Sequence, residues 1–164
     1  MLSQLRISNR SILMAAIAIG AIFTSIAQAQ NDTNTSTLTV IDSSKGGVKI
    51  SIDAIIKDGH ISGKVSGIAS KAVGDYKILV YIHTDQWYIH PYVNQGENGS
   101  WAALKPDLTW SIPSVKRAFT ADKVAALLVD ATKMDMKIDI PATLSNLGSV
   151  NSTAWIVVQA NGGV

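Results

Sequence analysis

The chain has 164 residues, no cysteine and a formal net charge of +2 from 14 basic and 12 acidic side chains. Without cysteine, the chain can form no disulfide, zinc–thiolate site or covalent haem attachment, and it has no cysteine nucleophile. Two of the basic residues, Arg6 and Arg10, lie in the first 29 residues, which contain no acid, so the remainder has 14 − 2 = 12 basic and 12 acidic side chains. This balance predicts no nucleic-acid partner, because nucleic-acid binding needs a basic stripe.

The first 29 residues have the three parts of a secretory signal peptide. The two arginines form a positive start, an apolar run extends from Ile12 to Ala27, and the tripeptide 27–29 (AQA) matches the small-residue cleavage site. The alternative is a membrane anchor, but the run of about 16 residues is shorter than the roughly 20 that a spanning helix needs. We therefore expect a secreted protein, extracellular or periplasmic, with no membrane span after cleavage. Residues 30–36 are small and polar and predict a flexible leader, which is followed by one domain over 37–164.

Most of this domain alternates between apolar and polar residues, which is typical of half-buried β-strands. The strands that the alternation predicts are 37–41, 48–56, 61–68, 75–84 and 107–112. The Asp-Gly pair within 57–60 favours a tight hairpin turn after the second of them. Gly63 and Gly67 interrupt the third strand, which predicts a bend there or the close approach of another backbone segment.

The fourth of these segments has the clearest pattern. Ile78, Val80 and Ile82 are expected on one face of the strand, with Tyr81 and the neighbouring odd-numbered residues on the other. Tyr81 and Trp110 both lie inside alternating segments, so both are expected in the core.

Three later segments complete the predicted elements. The short apolar run 123–130 favours a central strand, with an alanine-rich helix as the alternative. Pro141 at a first-turn position and Gly148 beyond the end predict a short helix over 141–147. Segment 152–160 predicts a last strand. Together the elements predict an all-β fold, an antiparallel immunoglobulin- or fibronectin-like β-sandwich with at most one short helix.

Four large aromatic residues lie among Asp, Gln, Asn, Gly and Pro in the segment 85–101, where loops form. They are Trp87, Tyr88, Tyr92 and Trp101. Rings in such a segment either fold back onto the core or remain exposed, and an exposed ring can stack on the flat apolar face of a sugar. In the exposed case, the candidate ligand-binding residues are these rings together with Asp85, Gln86 and Asn94 at their rim.

The same region resembles a known kind of protein module. Segment 76–81 (YKILVY) leads into 84–88 (TDQWY) and Pro91, and 107–110 (DLTW) and 125–129 (AALLV) follow. These segments resemble the small immunoglobulin-like accessory modules found beside catalytic domains in secreted glycoside hydrolases. In those modules the first two motifs read Y-K-V-x-V-Y and T-D-x-W-Y-x-x-P, and the third reads D-G-T-W, with glycine where this chain has leucine. The resemblance implies an immunoglobulin-like fold and an accessory, carbohydrate-related role.

No catalytic motif is present in the sequence. It lacks G-x-S-x-G, H-E-x-x-H and a glycine-rich phosphate loop. A glycosidase needs two carboxyl groups across a cleft, whereas Asp85 and Glu97 are more simply explained as solvated turn residues. We therefore expect no enzymatic activity, no catalytic residues and no cofactor.

Two histidines, His83 and His90, belong to a Tyr-Ile-His tripeptide that occurs twice. If the chain turns tightly at 85–86, His83 faces Tyr88 and Tyr81 faces His90 across a hairpin. Such cross-strand packing explains the repeat without a metal ion, so we expect no metal site.

These observations predict a secreted, non-catalytic β-sandwich module that binds a polysaccharide or another glycan surface through aromatic loop residues. The alternative is a structural or adhesive immunoglobulin-like surface module whose rings are packed and whose partner is a protein. Exposure distinguishes the two hypotheses, since two coplanar exposed rings favour sugar and buried rings favour the structural module.

Overall fold

The computed structural model describes residues 38–55, 59–115, 120–137 and 139–160. The predicted signal peptide, the predicted leader and the first half of the predicted turn at 57–60 lie outside these described residues. The strands are, in chain order, β1 Leu38–Ser43, β2 Lys49–Ile50, β3 Ala54–Ile55, β4 His60–Ser66, β5 Tyr76–His83, β6 Trp87–His90, β7 Ala102–Ala103, β8 Thr109–Pro113, β9 Lys123–Asp130, β10 Thr143–Leu144 and β11 Ala154–Ala160. Two short 3₁₀ helices lie at Ser70–Asp75 and Leu147–Ser149.

The strands form two sheets. The larger sheet has the order β1-β11-β9-β5-β6-β10, and β7 also pairs with β5. The smaller sheet has the order β2-β4-β3, and β8 also pairs with β4. The pairings between these strands are all antiparallel. The predicted all-β, antiparallel class is therefore confirmed, and 123–130 is a strand rather than a helix.

The main hydrophobic core lies between the two sheets. Ile78, Val80 and Ile82 of β5 belong to this first cluster, together with Trp110 of β8, which is 1 % exposed. The predicted common face of Ile78, Val80 and Ile82 and the predicted burial of Trp110 are thus confirmed. Each fully buried Val, Leu or Ile contributes about 1.5–3 kcal/mol relative to an exposed position, so this layer supplies much of the stability of the fold.

A second hydrophobic cluster covers the opposite face of the larger sheet. Leu79 and Tyr81 of β5 belong to it, and Tyr81 is fully buried as predicted. Side chains from the segment 134–150 pack on this face, including Ile140 and Leu144. The central strand β9 is therefore buried on both faces, which explains why its sequence is an unbroken apolar run rather than an alternating one.

Gly63 in β4 and Gly67 directly after the strand lie where other backbone comes close. A Cβ atom at Gly63 would collide with the carbonyl oxygen of Ser51 and would come within 2.9 Å of the Trp110 ring. Gly67 has a φ of 83°, a left-handed conformation that glycine adopts most easily, and a Cβ there would collide with the carbonyl of Gly47. The predicted close approach is confirmed at both positions.

The predicted strand 48–56 is divided into β2 and β3. The two strands pair with β4 in registers that differ by one residue, since Lys49 opposes Ser66 while Ala54 opposes Ser62. Between them the backbone N–H of Ser51 donates to the Lys64 carbonyl at 2.8 Å, and the Ser51 hydroxyl accepts from the Lys64 N–H at 3.1 Å. The side chain thus takes the place of a backbone acceptor where the ladder is interrupted.

The predicted helix over 141–147 is wrong. Thr143 and Leu144 instead form β10, which pairs with β6 opposite Tyr88 and Trp87. The Leu144 side chain is buried in the second cluster, so long-range pairing and burial override the local helix signal. The helical turn comes later, at Leu147–Ser149.

Leu108 has the backbone conformation of a glycine position. Its φ is 64°, in the left-handed region. The turn is closed by a hydrogen bond from the Leu108 N–H to the Lys105 carbonyl at 2.9 Å.

Within the described ranges, no helix is long and apolar enough to cross a membrane.

Candidate functional site

The hairpin of β5 and β6 positions the aromatic segment that the sequence singled out. His83 opposes Trp87 and Tyr81 opposes Ile89, with a three-residue loop between the strands. The predicted two-residue turn, which paired His83 with Tyr88 and Tyr81 with His90, is wrong by one residue. The loop is closed by the Thr84 N–H, which donates to the Gln86 carbonyl at 3.0 Å.

This register places consecutive aromatic residues on opposite faces of the larger sheet. Trp87 packs against the second cluster, whereas Tyr88 packs against the first. Trp87 also meets His83 edge-on, with ring centroids 4.9 Å apart. Both rings are half-buried, so Trp87 and Tyr88 cannot present one common stacking surface.

Asp85 and Gln86 bond to Tyr88 at the tip of this hairpin. The Tyr88 hydroxyl donates to Asp85 Oδ1 at 3.1 Å, and the Gln86 amide donates to the Tyr88 oxygen at 3.1 Å. The Thr84 hydroxyl also donates to Asp85 at 2.8 Å. Hydrogen bonds, first from Thr84 and then from the backbone and Tyr88, hold the pKa of Asp85 below its usual value. The four side chains thus form a local network that orders the hairpin tip.

The other predicted site residues lie on the loop that follows β6. Tyr92 is 47 % exposed, and Asn94 is exposed with a φ of 54°. Trp101 is half-buried and packs on the second cluster. A Cβ at Gly96 would lie 3.7 Å from its ring, so this ring is covered by its own loop.

A groove of about 800 Å³ lies on the same face of the larger sheet as the second cluster. This volume is within the range of small-molecule sites in proteins. Its lining combines two tryptophans with small polar and apolar residues: Asp42, Trp87, Ser145, Asn146, Leu147, Gly148, Ser149, Val150, Asn151, Ser152, Trp155 and Val157. Of the seven predicted site residues, Trp87 lines this groove and the other six do not.

The polar wall of the groove is the segment 145–152. Leu147 and Val150 attach it to the sheet, because both side chains pack on the second cluster. The Asn146 side-chain oxygen caps the short helix by accepting from the Gly148 N–H at 2.8 Å, and the Ser149 hydroxyl donates to the Asn146 carbonyl at 2.7 Å. The wall is therefore an ordered structure on a rigid support, as binding loops commonly are.

Trp155 of β11 forms the aromatic part of the groove together with Trp87. It packs on the second cluster and is half-buried. Its backbone N–H donates to the Ser44 hydroxyl at 3.1 Å, which ties β11 to the end of β1. Trp155 is not among the predicted site residues, because it lies in a strand whose sequence is typical of an apolar core. The serines and asparagines of 145–152 are the sequence feature that could indicate this groove. Part of that segment, however, falls in the predicted helix 141–147.

The histidines are separated by the observed register. His83 lies with the second cluster and its Nδ1 is 3.3 Å from Asp122 Oδ1. His90 is fully buried and pairs with Val80, whose side chain lies in the first cluster. Its Nε2 accepts from the Val115 N–H at 3.4 Å. Among the residues that the structure describes, no three His, Asp or Glu side chains are grouped as a metal site requires.

Comparison with known proteins finds no match to this chain among protein-family models, curated proteins or solved structures.

Proposed function

We propose that this protein is a secreted, non-catalytic β-sandwich module that binds polysaccharide in the groove lined by Trp87 and Trp155. One observation carries the proposal. The groove joins two half-buried tryptophans to three serines and two asparagines on one ordered wall.

This lining matches the two kinds of surface that a sugar presents. The C–H faces of a pyranose ring are apolar and stack on the flat faces of tryptophan. Its hydroxyl groups both donate and accept hydrogen bonds, as do the amides and hydroxyls of Asn146, Asn151 and the serines. Each ring contact contributes about 1 kcal/mol, so two rings and several hydrogen bonds support binding of a chain rather than of a single sugar.

The lining also favours binding without catalysis. Of the described residues that line the groove, Asp42 alone carries a carboxylate, whereas glycoside hydrolysis uses a pair. The predicted signal peptide and the resemblance to accessory modules of secreted glycoside hydrolases support export and an immunoglobulin-like arrangement of the two sheets.

A second function is favoured by a different surface. Val40 and Ile41 of the edge strand β1 are 59 % and 47 % exposed. Large apolar side chains on an unpaired sheet edge are typical of a site for another protein chain. This observation supports the alternative hypothesis of an adhesive surface module with a protein partner.

The two functions are separated by a binding experiment with matched variants. The full chain is expressed with its signal segment, and the product recovered outside the cytoplasm is expected to begin at Gln30 by intact mass. Affinity electrophoresis then measures its binding to hydroxyethyl cellulose, xylan, galactomannan and dextran. Trp87→Leu and Trp155→Leu are expected to lower the affinity for the bound polysaccharide about tenfold each, which corresponds to about 1.4 kcal/mol.

Trp101→Leu is the control, because Trp101 packs on the same cluster but does not line the groove. Its affinity is expected to equal that of the unmodified protein, and thermal unfolding of all three variants checks that they are folded. If no polysaccharide binds, or if the two groove variants bind as tightly as the control, the adhesive hypothesis takes precedence.

A further inference from the structure

An irregularity in β1 determines which residue faces the groove. Val40 opposes Val158 of β11, but Asp42 opposes Val157, so Ile41 is an extra residue that forms a β-bulge. In an unbroken register Asp42 would oppose Ile156 instead. Ile156 belongs to the first cluster and Val157 to the second. The bulge therefore moves Asp42 to the groove face of the sheet.

Among the residues that the structure describes, Asp42 is the only ionisable side chain that lines the groove. Its Oδ1 accepts from the Ser43 N–H at 2.8 Å, which orients the carboxylate. Within the described part of the chain, its Oδ2 has no hydrogen-bond partner. An oriented carboxylate with a free oxygen is a strong acceptor for a hydroxyl group, and no lysine or arginine of the described ranges lines the groove to attract an anion.

We infer that the groove takes an uncharged polysaccharide and that Asp42 determines this specificity by accepting sugar hydroxyls and repelling anionic glycans. The inference rests on the proposed function, since it names the ligand class of the same groove. A neutral sugar gains a charge-assisted hydrogen bond from Asp42. A uronate, sulfate or carboxymethyl group placed at the same distance meets a like charge with no cation to compensate it.

The size of the effect follows from the distance over which the charges act. Two like charges about 4 Å apart in an exposed site repel each other enough to lower an affinity about fivefold or more at low salt. Because Asp42 is exposed, salt screens this repulsion, and the discrimination should shrink as the Debye length falls from about 20 Å to a few Å.

The bulge also has a purely structural explanation, which the test must exclude. A regular strand would turn the Asp42 carboxylate toward an apolar cluster, and the bulge avoids that burial. On this explanation the bulge serves only to keep the Asp42 carboxylate in solvent. Removing its charge would then not change the preference between neutral and anionic polysaccharides.

The test uses pairs of polymers that share a backbone and differ in charge. The probes are hydroxyethyl cellulose with carboxymethyl cellulose, dextran with carboxymethyl dextran, and xylan with carboxymethyl xylan, each at about 20 mM and about 500 mM NaCl. We expect the unmodified protein to bind the neutral member of a pair at least about fivefold more tightly at low salt, with a smaller ratio at high salt. We expect Asp42→Asn, which keeps an acceptor oxygen but loses the charge, to bind both members within about twofold at either salt concentration.

Asp53→Asn is the matched control. Asp53 is an exposed aspartate that accepts a hydrogen bond from the hydroxyl of a nearby serine. It lies between β2 and β3 in the sequence and does not line the groove. This variant should retain the full preference, and thermal unfolding should confirm that both variants are folded. If the unmodified protein binds both members of a pair equally, or if Asp42→Asn keeps the preference, the specificity inference fails while the proposed function stands. If none of the polymers binds the unmodified protein, both fail together.

Discussion

Tyr81 is a polar residue held inside an apolar cluster by a single hydrogen bond. Its ring is fully buried on the groove side of the larger sheet, and its hydroxyl donates to the Pro141 carbonyl at 3.0 Å. This bond attaches the chain that leads into β10, and hence the wall of the groove, to the centre of the sheet. Burial raises the pKa of Tyr81 above its ordinary value of 10.0, because the phenolate would lose its hydration.

The first prediction concerns the stability of Tyr81→Phe and its dependence on pH. The substitution leaves the Pro141 carbonyl without its donor, so we expect a loss of about 1–2 kcal/mol near neutral pH, measured by urea unfolding. Since the folded state favours the neutral phenol, the stabilisation that Tyr81 provides is present below pH 10 and is lost as the pH rises above it. The unmodified protein should therefore lose stability more steeply above pH 10 than the variant does.

Tyr76→Phe is the control for this experiment, because Tyr76 is half-buried at the start of β5. Near neutral pH its unfolding free energy should stay closer to that of the unmodified protein than the value for Tyr81→Phe does. Parallel curves for the unmodified protein and Tyr81→Phe would contradict the assigned role.

At the scale of a single element, β4 packs so closely against neighbouring backbone and side chains that one of its positions requires glycine. Gly63 has no room for a side chain between the Ser51 carbonyl and the Trp110 ring. We expect Gly63→Ala to destabilise the protein by about 3 kcal/mol, because backbone and a buried ring must both move. The midpoint of urea unfolding, at unchanged slope, measures this loss.

Gly74→Ala is a matched control within the same chain. A Cβ at Gly74 meets no atom within 4 Å and the φ there is not left-handed, so alanine should change stability by no more than about 0.5 kcal/mol. Equal effects at the two glycines would show that conformational entropy, and not the close packing around Gly63, determines the loss of stability.

Sequence reasoning succeeded for elements whose pattern is local and failed where distant contacts decide. The alternation of 75–84 placed Ile78 and Tyr81 on the correct faces, since the period of a strand is a property of that strand alone. The hairpin register was wrong because a turn of two residues and a turn of three have equally polar sequences, and a shift by one residue moves every side chain to the other face. Trp155 was overlooked because it lies in a strand whose sequence is typical of an apolar core, and its aromatic partner in the groove, Trp87, is distant in sequence.

At the scale of the whole molecule, the fold is closed by strands from its two ends. β1 pairs with β11, and Leu38 of β1 packs against the first cluster. We expect deletion of residues 30–43 to lower the free energy of unfolding by at least about 2 kcal/mol, since this packing and the ladder to β11 are both lost. It should also abolish the preference for neutral polysaccharide, because Asp42 is removed.

Deletion of residues 30–36, the predicted leader, is the control for this truncation. We expect its unfolding free energy to remain within about 0.5 kcal/mol of the unmodified protein. Equal stability of the two truncated proteins, measured by urea unfolding at matched concentration, would show that β1 contributes nothing to the fold.

The position of β9 has a consequence for the protein during its synthesis. Its two neighbours are β5, which is translated earlier, and β11, which is translated later. Until the residues of β11 leave the ribosome, an apolar strand without a single charge between Lys123 and Asp130 has one open edge, and such edges recruit strands from other chains. Cleavage of the finished protein within 145–152, with loss of the C-terminal piece, would expose the same edge. Pairing with β11 therefore protects the edge of β9, so that copies of this protein do not aggregate through it.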